Sequence, residues 1–330
     1  MLLAMPLPLF VLGLIFAFLV GIVCGSFFNV CIFRLPEGQS LVTPPSHCPR
    51  CNTPLAPLDL IPLLSYLWLG RKCRYCHTPI SPRYFIIELI TGLLFTAIWL
   101  SLAARYEFDP NILWAPFGVT LIILLWIWAS TMLVTFMIDL DTTYVIEPVT
   151  WIAMAAGILY EVISKWYDPL AWHNGLPIQS VIFGHTIPYL PNAVPGAILG
   201  FLVFVLMDWF GRLLFRKPGM GLGDAYIGAA IGALLGPGLA LLSFGMAIML
   251  GAVIGSILIV LGNIRRAPAP SADTVNDGPM KETDEQPEGR YMPFGPFLTA
   301  CAVAIALAPD WFSHTATAAM HWWLNNPMFR

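Results

Sequence analysis

Pro218-Gly219-Met220-Gly221-Leu222-Gly223-Asp224 leads straight into the apolar run 225–235. Three alternate glycines follow Arg216-Lys217 and end on one carboxylate at the head of a hydrophobic segment. An ionisable group at a membrane boundary is costly and is usually retained for function. One carboxylate cannot serve as both acid and base, so a second is expected. Phe136-Met137-Ile138-Asp139 supplies it, closing an earlier apolar run in the same way.

The rest of the chain fits a lipid solvent. Of its 330 residues, 58% are hydrophobic and 11% charged, about half the charged share of a soluble domain. Several apolar runs exceed the ~18 residues that mark a bilayer-spanning helix. Eight spans are predicted, at about 7–33, 84–103, 112–138, 148–163, 193–215, 224–235, 239–261 and 292–307. The sixth and seventh are separated by Gly236-Pro237-Gly238, and Gly196-x-x-x-Gly200 in the fifth permits close helix packing. No cation precedes the first run, so it reads as a retained span rather than a secretory signal. The loop 165–192 carries no readable chemistry. The loop 265–290 is rich in Pro, Asp and Glu and reads as disordered, and a Trp-rich tail (Trp311, Trp322, Trp323) suits a membrane interface. No internal repeat is apparent. A net charge of −3 without a basic run gives nucleic acid no footing.

Cation placement orients the bundle. With the Cys-rich segment 37–82 in the cytosol, 13 of the 16 Lys and Arg residues fall inside, leaving Arg105, Lys165 and Arg330 outside. That is the expected positive-inside bias. Both termini then face out, and Asp139 and Asp224 share the cytoplasmic face.

Four of the seven cysteines form Cys48-Pro-Arg-Cys51 and Cys73-Arg-Tyr-Cys76, with 21 residues between them. Two such pairs suit a tetrahedral thiolate site for zinc. A reducing cytosol argues against disulfides, and four thiolates leave no open position for water, so the metal is structural. His47 and His77 adjoin the pairs as alternative ligands. Cys24, Cys31 and Cys301 lie in apolar runs and read as small hydrophobes. The predicted architecture is therefore an all-α polytopic membrane protein of about eight transmembrane helices with a small cytoplasmic zinc-binding lobe. It divides into a first helix (1–36), the lobe (37–82), a transmembrane core (83–309) and an external tail (310–330).

Six acids lie in or beside spans on the inner half: Glu88, Asp139, Asp141, Glu147, Asp208 and Asp224. The bland reading is a snorkelling or salt-bridged acid at a helix end. It suits Asp141 and Glu147 in the polar turn. Glu88 and Asp208 are deeper and read as packing polars or partners of Arg or a substrate amine. Asp139 and Asp224 differ in sitting where an apolar helix meets the cytosol, and the glycines before Asp224 let an extended backbone approach closely. Two close aspartates share one proton and titrate as a unit. The ionised member takes a proton from water while the protonated one polarises a scissile carbonyl.

These residues resemble the prepilin peptidases (type IV leader peptidases). The likeness rests on Gly221-x-Gly223-Asp224 paired with Ile138-Asp139-Leu140-Asp141. It extends through Gly25-Ser26-Phe27-Phe28-Asn29-Val30 with Arg34-Leu35-Pro36, both Cys-x-x-Cys pairs, Arg83-Tyr84 with Glu88-Leu-Ile-Thr-Gly92, and Pro293-Phe294-Gly295-Pro296-Phe297. The resemblance implies Asp139 and Asp224 as catalytic residues and Cys48, Cys51, Cys73 and Cys76 as zinc ligands. It implies cleavage of prepilins or pseudopilins after a glycine at the bacterial cytoplasmic membrane, then methylation of the new N-terminus from S-adenosylmethionine. Where the family commonly has Pro-Asp or Pro-Asn after the first aspartate motif, this chain has Ile146-Glu147 before Pro148. A presenilin-like protease lacks support, because the carboxylate paired with Asp224 follows Ile138 rather than a tyrosine and no Pro-Ala-Leu motif is present. A transporter with a zinc-ribbon lobe would place its acids at the bilayer midplane rather than at one face.

Overall fold

The computed structural model describes residues 5–167, 179–182, 185–188, 192–215, 221–260, 293–312 and 315. In chain order these form α1 (Leu7–Arg34), a 3₁₀ turn (Pro57–Leu60), α2 (Leu64–Trp68), α3 (Pro82–Arg105), α4 (Pro110–Leu113), α5 (Pro116–Thr142) and α6 (Glu147–Tyr167). A small antiparallel hairpin follows, β1 (Gln179–Ile182) with β2 (His185–Pro188), then α7 (Ala193–Phe215), α8 (Leu222–Val260) and α9 (Gly295–Leu307). Proline stands in the first turn of α1, α3, α5 and α9, where its missing N–H costs nothing. Ser81 caps α3 by accepting from the Arg83 amide.

The fold class is as expected. Five helices, α1, α3, α5, α7 and α8, are long and apolar enough to cross a membrane. The hairpin, inside the loop expected at 165–192, is the one strand pair among the described residues. Spans six and seven emerge as two limbs of α8. Its 39 residues would reach ~58 Å, nearly twice the hydrocarbon core, but Gly236 breaks the helix at φ 71° and ψ 176°, with Pro237 next. The eight-span arrangement is compatible with these helices. The loop 265–290 and most of the Trp-rich tail lie outside the described residues.

The core is aromatic where α3, α5, α8 and α9 converge, around Phe95, Trp99, Trp126, Trp128, Ile231 and Leu298. Lipid offers no hydrogen bonds, so the indole N–H groups must be satisfied internally. Trp126 Nε1 donates to the Phe95 carbonyl at 3.1 Å and Trp128 Nε1 to that of Ala230 at 3.0 Å. Phe95 and Trp126 also stack, 4.6 Å between ring centres.

Two helix pairs touch backbone to backbone. Between α1 and α3, a methyl built on Gly21 would stand 2.7 Å from the Gly92 Cα. Between α7 and α8, one on Gly196 would overlap the Gly232 carbonyl, and one on Gly200 would lie 2.6 Å from the Gly228 carbonyl carbon. Gly200→Val should therefore part α7 from α8 and cost about 1–3 kcal/mol. The readout is a lowered thermal midpoint in detergent. Gly238→Ala is the control, since a Cβ there meets no described residue within 4 Å.

Candidate active site

Asp139 lies in the last turn of α5, beyond the point where its apolar face ends. Thr143 takes a left-handed conformation (φ 56°) and its amide donates to the Asp139 carbonyl at 2.9 Å, which stops the helix. The side chain is only 5% exposed, and its Oδ2 has no hydrogen-bond partner among the described residues. A buried carboxylate oxygen left unpaired is expensive, so packing must hold it there. What it faces is Gly295, the first residue of α9, where a methyl would overlap Oδ2 and stand 3.1 Å from Cγ. One turn earlier on the same face, Thr135 has a buried hydroxyl that is likewise unpartnered.

Asp224 sits in the first turn of α8, 9% exposed, with its amide donating to the Gly221 carbonyl at 3.2 Å. Gly223 explains how the two ends meet. A methyl there would stand 2.7 Å from the Val145 Cβ, in the turn that leaves α5. The missing side chain at 223 is thus filled by the chain's own Val145, not left open for an extended substrate. Among the described residues, only the Gly223 amide comes within 4 Å of a methyl built on Gly221, while Gly219 lies outside them. Ile227, one turn into α8, places its Cδ1 3.2 Å from the same methyl position on Gly295. The start of α9 thereby wedges between the two aspartate-bearing helices.

The other acids are engaged elsewhere. Asp141 is exposed and forms a two-pronged pair with Arg83 of α3, Nη1 to Oδ1 at 2.9 Å and Nη2 to Oδ2. Asp208 bonds Arg212 one turn on, at 2.8 Å. Glu147 is exposed at the head of α6. Glu88 is buried and accepts the Leu63 amide at 2.8 Å. Glu161 was not singled out from sequence. It accepts the amides of Asn192 and Ala193 at the start of α7 and pairs with Lys165. A carboxylate at a helix N-terminus suits the macrodipole.

The sulfurs of Cys48, Cys51, Cys73 and Cys76 all lie within 4.8 Å of one another, and Cys48 and Cys76 are 3.8 Å apart. A tetrahedral zinc with bonds of ~2.3 Å needs sulfurs about 3.8 Å apart, so the four residues fit the ion. Neither His47 nor His77 belongs to the cluster. The two halves repeat one design, Cys-x-x-Cys-x-Thr-Pro. In each, the residue after the second cysteine is left-handed (Asn52 φ 54°, His77 φ 56°) and its amide returns to the first cysteine's carbonyl, at 2.8 and 3.0 Å. This short repeat, at 48–54 and 73–79, corrects the reading that the chain contains none. It also marks Thr53 and Thr78. Hydrogen bonds from the Thr78 hydroxyl and amide favour the Cys76 thiolate and push its pKa down to about 6; Thr53 acts likewise on Cys51. Buried Arg34 holds the approach to the lobe, donating to the carbonyls of Ser40 at 2.9 Å and Pro44 at 2.7 Å.

Comparison with known proteins bears on the same residues. Residues 19–102 match the bacterial peptidase A24 N-terminal domain, and residues 126–256 match the type IV leader peptidase family. The prepilin leader peptidase/N-methyltransferase of Myxococcus xanthus is 32% identical, over 94% of this chain and 94% of its own. The protein so named from Aeromonas hydrophila is 32% identical over 98% and 97%. That of Klebsiella pneumoniae is 38% identical over 67% and 84%. No solved structure matches the chain. With Asp139 and Asp224 both inside the matched region and the likeness running nearly end to end, the chain belongs to the type IV leader peptidase family.

Proposed function

We propose that this chain is a membrane aspartic endopeptidase that removes the leader of prepilins and pseudopilins, with Asp139 and Asp224 as its catalytic pair. The observation that carries it is that two buried carboxyls stand at distant helix ends that meet, Asp139 against Gly295 and Asp224 one turn before the Ile227 that packs on the same glycine. The ionised member takes a proton from water, whose oxygen bonds to the scissile carbonyl carbon. The protonated member gives its proton to the carbonyl oxygen. Collapse of the tetrahedral intermediate breaks the C–N bond, and the departing amine takes a proton from the pair. Incubating purified protein with a prepilin tests this: a shortened product supports it, and intact substrate refutes it.

The cation distribution supports a multi-pass protein of the bacterial cytoplasmic membrane, with the pair and the lobe 37–82 facing the cytosol. We assign zinc to Cys48, Cys51, Cys73 and Cys76 as a structural ion whose bonds clamp the two halves of the lobe. Purified protein should carry about one zinc per chain. Cys73→Ser should lower zinc content and folded yield more than turnover per folded molecule. Zinc analysis beside the cleavage assay separates the two effects, and a fully folded metal-free protein would overturn the assignment.

The relatives' names support a second step, methylation of the new N-terminus with S-adenosylmethionine. The pocket lined by Ile98, Ser101, Leu125, Trp128, Ala129 and Leu307 does not fit that cofactor. It is apolar, and its hydroxyl already donates to the Leu307 carbonyl at 2.6 Å. Mass spectrometry of pilin cleaved in cells should show a gain of about 14 mass units at the N-terminus, one methyl for one hydrogen. Unmethylated product alone would remove this second activity and leave the first intact.

A further inference from the structure

Between the two cysteine pairs runs Pro57-Leu58-Asp59-Leu60-Ile61-Pro62-Leu63-Leu64-Ser65-Tyr66-Leu67-Trp68-Leu69. By sequence it belongs to a water-facing lobe. In the structure its middle lies against a spanning helix instead. The Leu63 amide donates to Glu88 Oε2 at 2.8 Å, and the Tyr66 ring lies 5.3 Å from that of Phe85. Glu88 is six residues into α3, ~9 Å along its axis. The segment therefore descends beside the first two turns of α3.

Every exposed residue of the segment is apolar. Leu58 is 55% exposed, Leu64 55%, Leu67 58% and Trp68 53%. Water-facing surfaces seldom carry so continuous an apolar strip. Two exposed cations follow directly, Arg71 and Lys72, while Arg74 is taken by Asp59 at 2.7 Å. Tryptophan and cations at the edge of an apolar strip are what an interfacial segment presents to a bilayer. Ile86 and Ile90 of the same α3 are likewise exposed, on a helix long and apolar enough to cross a membrane.

We propose that residues 57–69 form a foot inserted into the interfacial layer of an anionic bilayer, with Arg71 and Lys72 on the phosphates of its headgroups. Glu88 then acquires a role. Leu63 stands at φ 60° before the first turn of α2, so its amide has no helical partner. At that depth no water is at hand to satisfy it, and the carboxylate does so. Foot and lobe dock as one piece, and the lobe is held flat against the membrane.

The test needs no peptidase activity, so its failure is distinct from failure of the proposed function. A diazirine analogue of leucine is placed at Leu64 or Leu67, and at Arg50 in the water-facing lobe as control. The full chain is set in nanodiscs of phosphatidylcholine with phosphatidylglycerol, irradiated, and its adducts weighed. Lipid adducts at 64 and 67 are expected at about ten times the Arg50 level. Equal labelling, or crosslinks to protein instead of lipid, overturns the foot. Arg71→Glu with Lys72→Glu should bring the phosphatidylglycerol share of adducts down to its share of the bilayer. An unchanged share refutes the headgroup contact. Zinc content confirms that each variant is folded.

Discussion

Asp139→Asn and Asp224→Asn should each cut prepilin cleavage by about 10²–10⁴-fold, the usual worth of a positioned acid or base. Neither amide can exchange the proton that the other carboxyl must receive or give. Both variants should fold, because asparagine keeps the shape of the residue and removes one of two buried acids. Zinc content and thermal midpoint should stay near those of the parent. Asp141→Asn is the internal control. It breaks only an exposed pair with Arg83, worth about 1 kcal/mol or less, and should leave most turnover. Gel shift of a prepilin, read against enzyme concentration, measures all three. Full activity in Asp139→Asn would move the first carboxylate elsewhere, and full activity in Asp224→Asn would end the aspartic mechanism.

Gly295→Ala should be nearly as damaging, with no charge altered. The added methyl would occupy the place of Asp139 Oδ2. That oxygen ends a side chain with rotational freedom, so the structure relieves the clash by turning the carboxyl rather than by opening the bundle. The cost then falls on geometry. Displacing a reacting group by ~1 Å can cost about 100-fold in rate, whereas the fold should lose little. The expected signature is kcat down by about two orders of magnitude with an almost unchanged KM and melting midpoint. An equal loss of stability and turnover would show Gly295 to be a packing residue only. An unaffected kcat would show that α9 does not position Asp139.

Much of this arrangement was legible in the chain. Asp139 and Asp224 stand where apolar runs end, and a carboxylate in such a place has few structural uses. Cysteine spacing marks the four sulfurs that gather into one cluster, and hydropathy locates the long apolar helices α1, α3, α5, α7 and α8. What stayed hidden was contact between remote positions. Nothing periodic links Gly295 to Asp139 or Gly223 to Val145, because a glycine selected for close approach looks like one selected for a turn. Gly236-Pro237-Gly238 reads as a loop, yet only Gly236 leaves helical geometry, since proline is at home in the first turn of the limb that follows. Glu161 carries no signal in the sequence, because its partners, the amides of Asn192 and Ala193, come from beyond a long connection.

The paired knuckles also act on the chain as a polymer. Cys51 and Cys73 enclose 21 residues, and an ion gripping both converts that stretch from a tether into a ring. Closing a ring of this length costs about 2.7 kcal/mol of chain entropy beyond a constant, which metal–sulfur bonding would offset once, during folding. The ring's far side, Leu58 to Trp68, would then have few conformations left to lose on meeting lipid. Chelation would return that entropy. The apolar strip would then be tied to the bundle mainly through Leu63 and Tyr66, and grip on the membrane would become a property of the metal's occupancy.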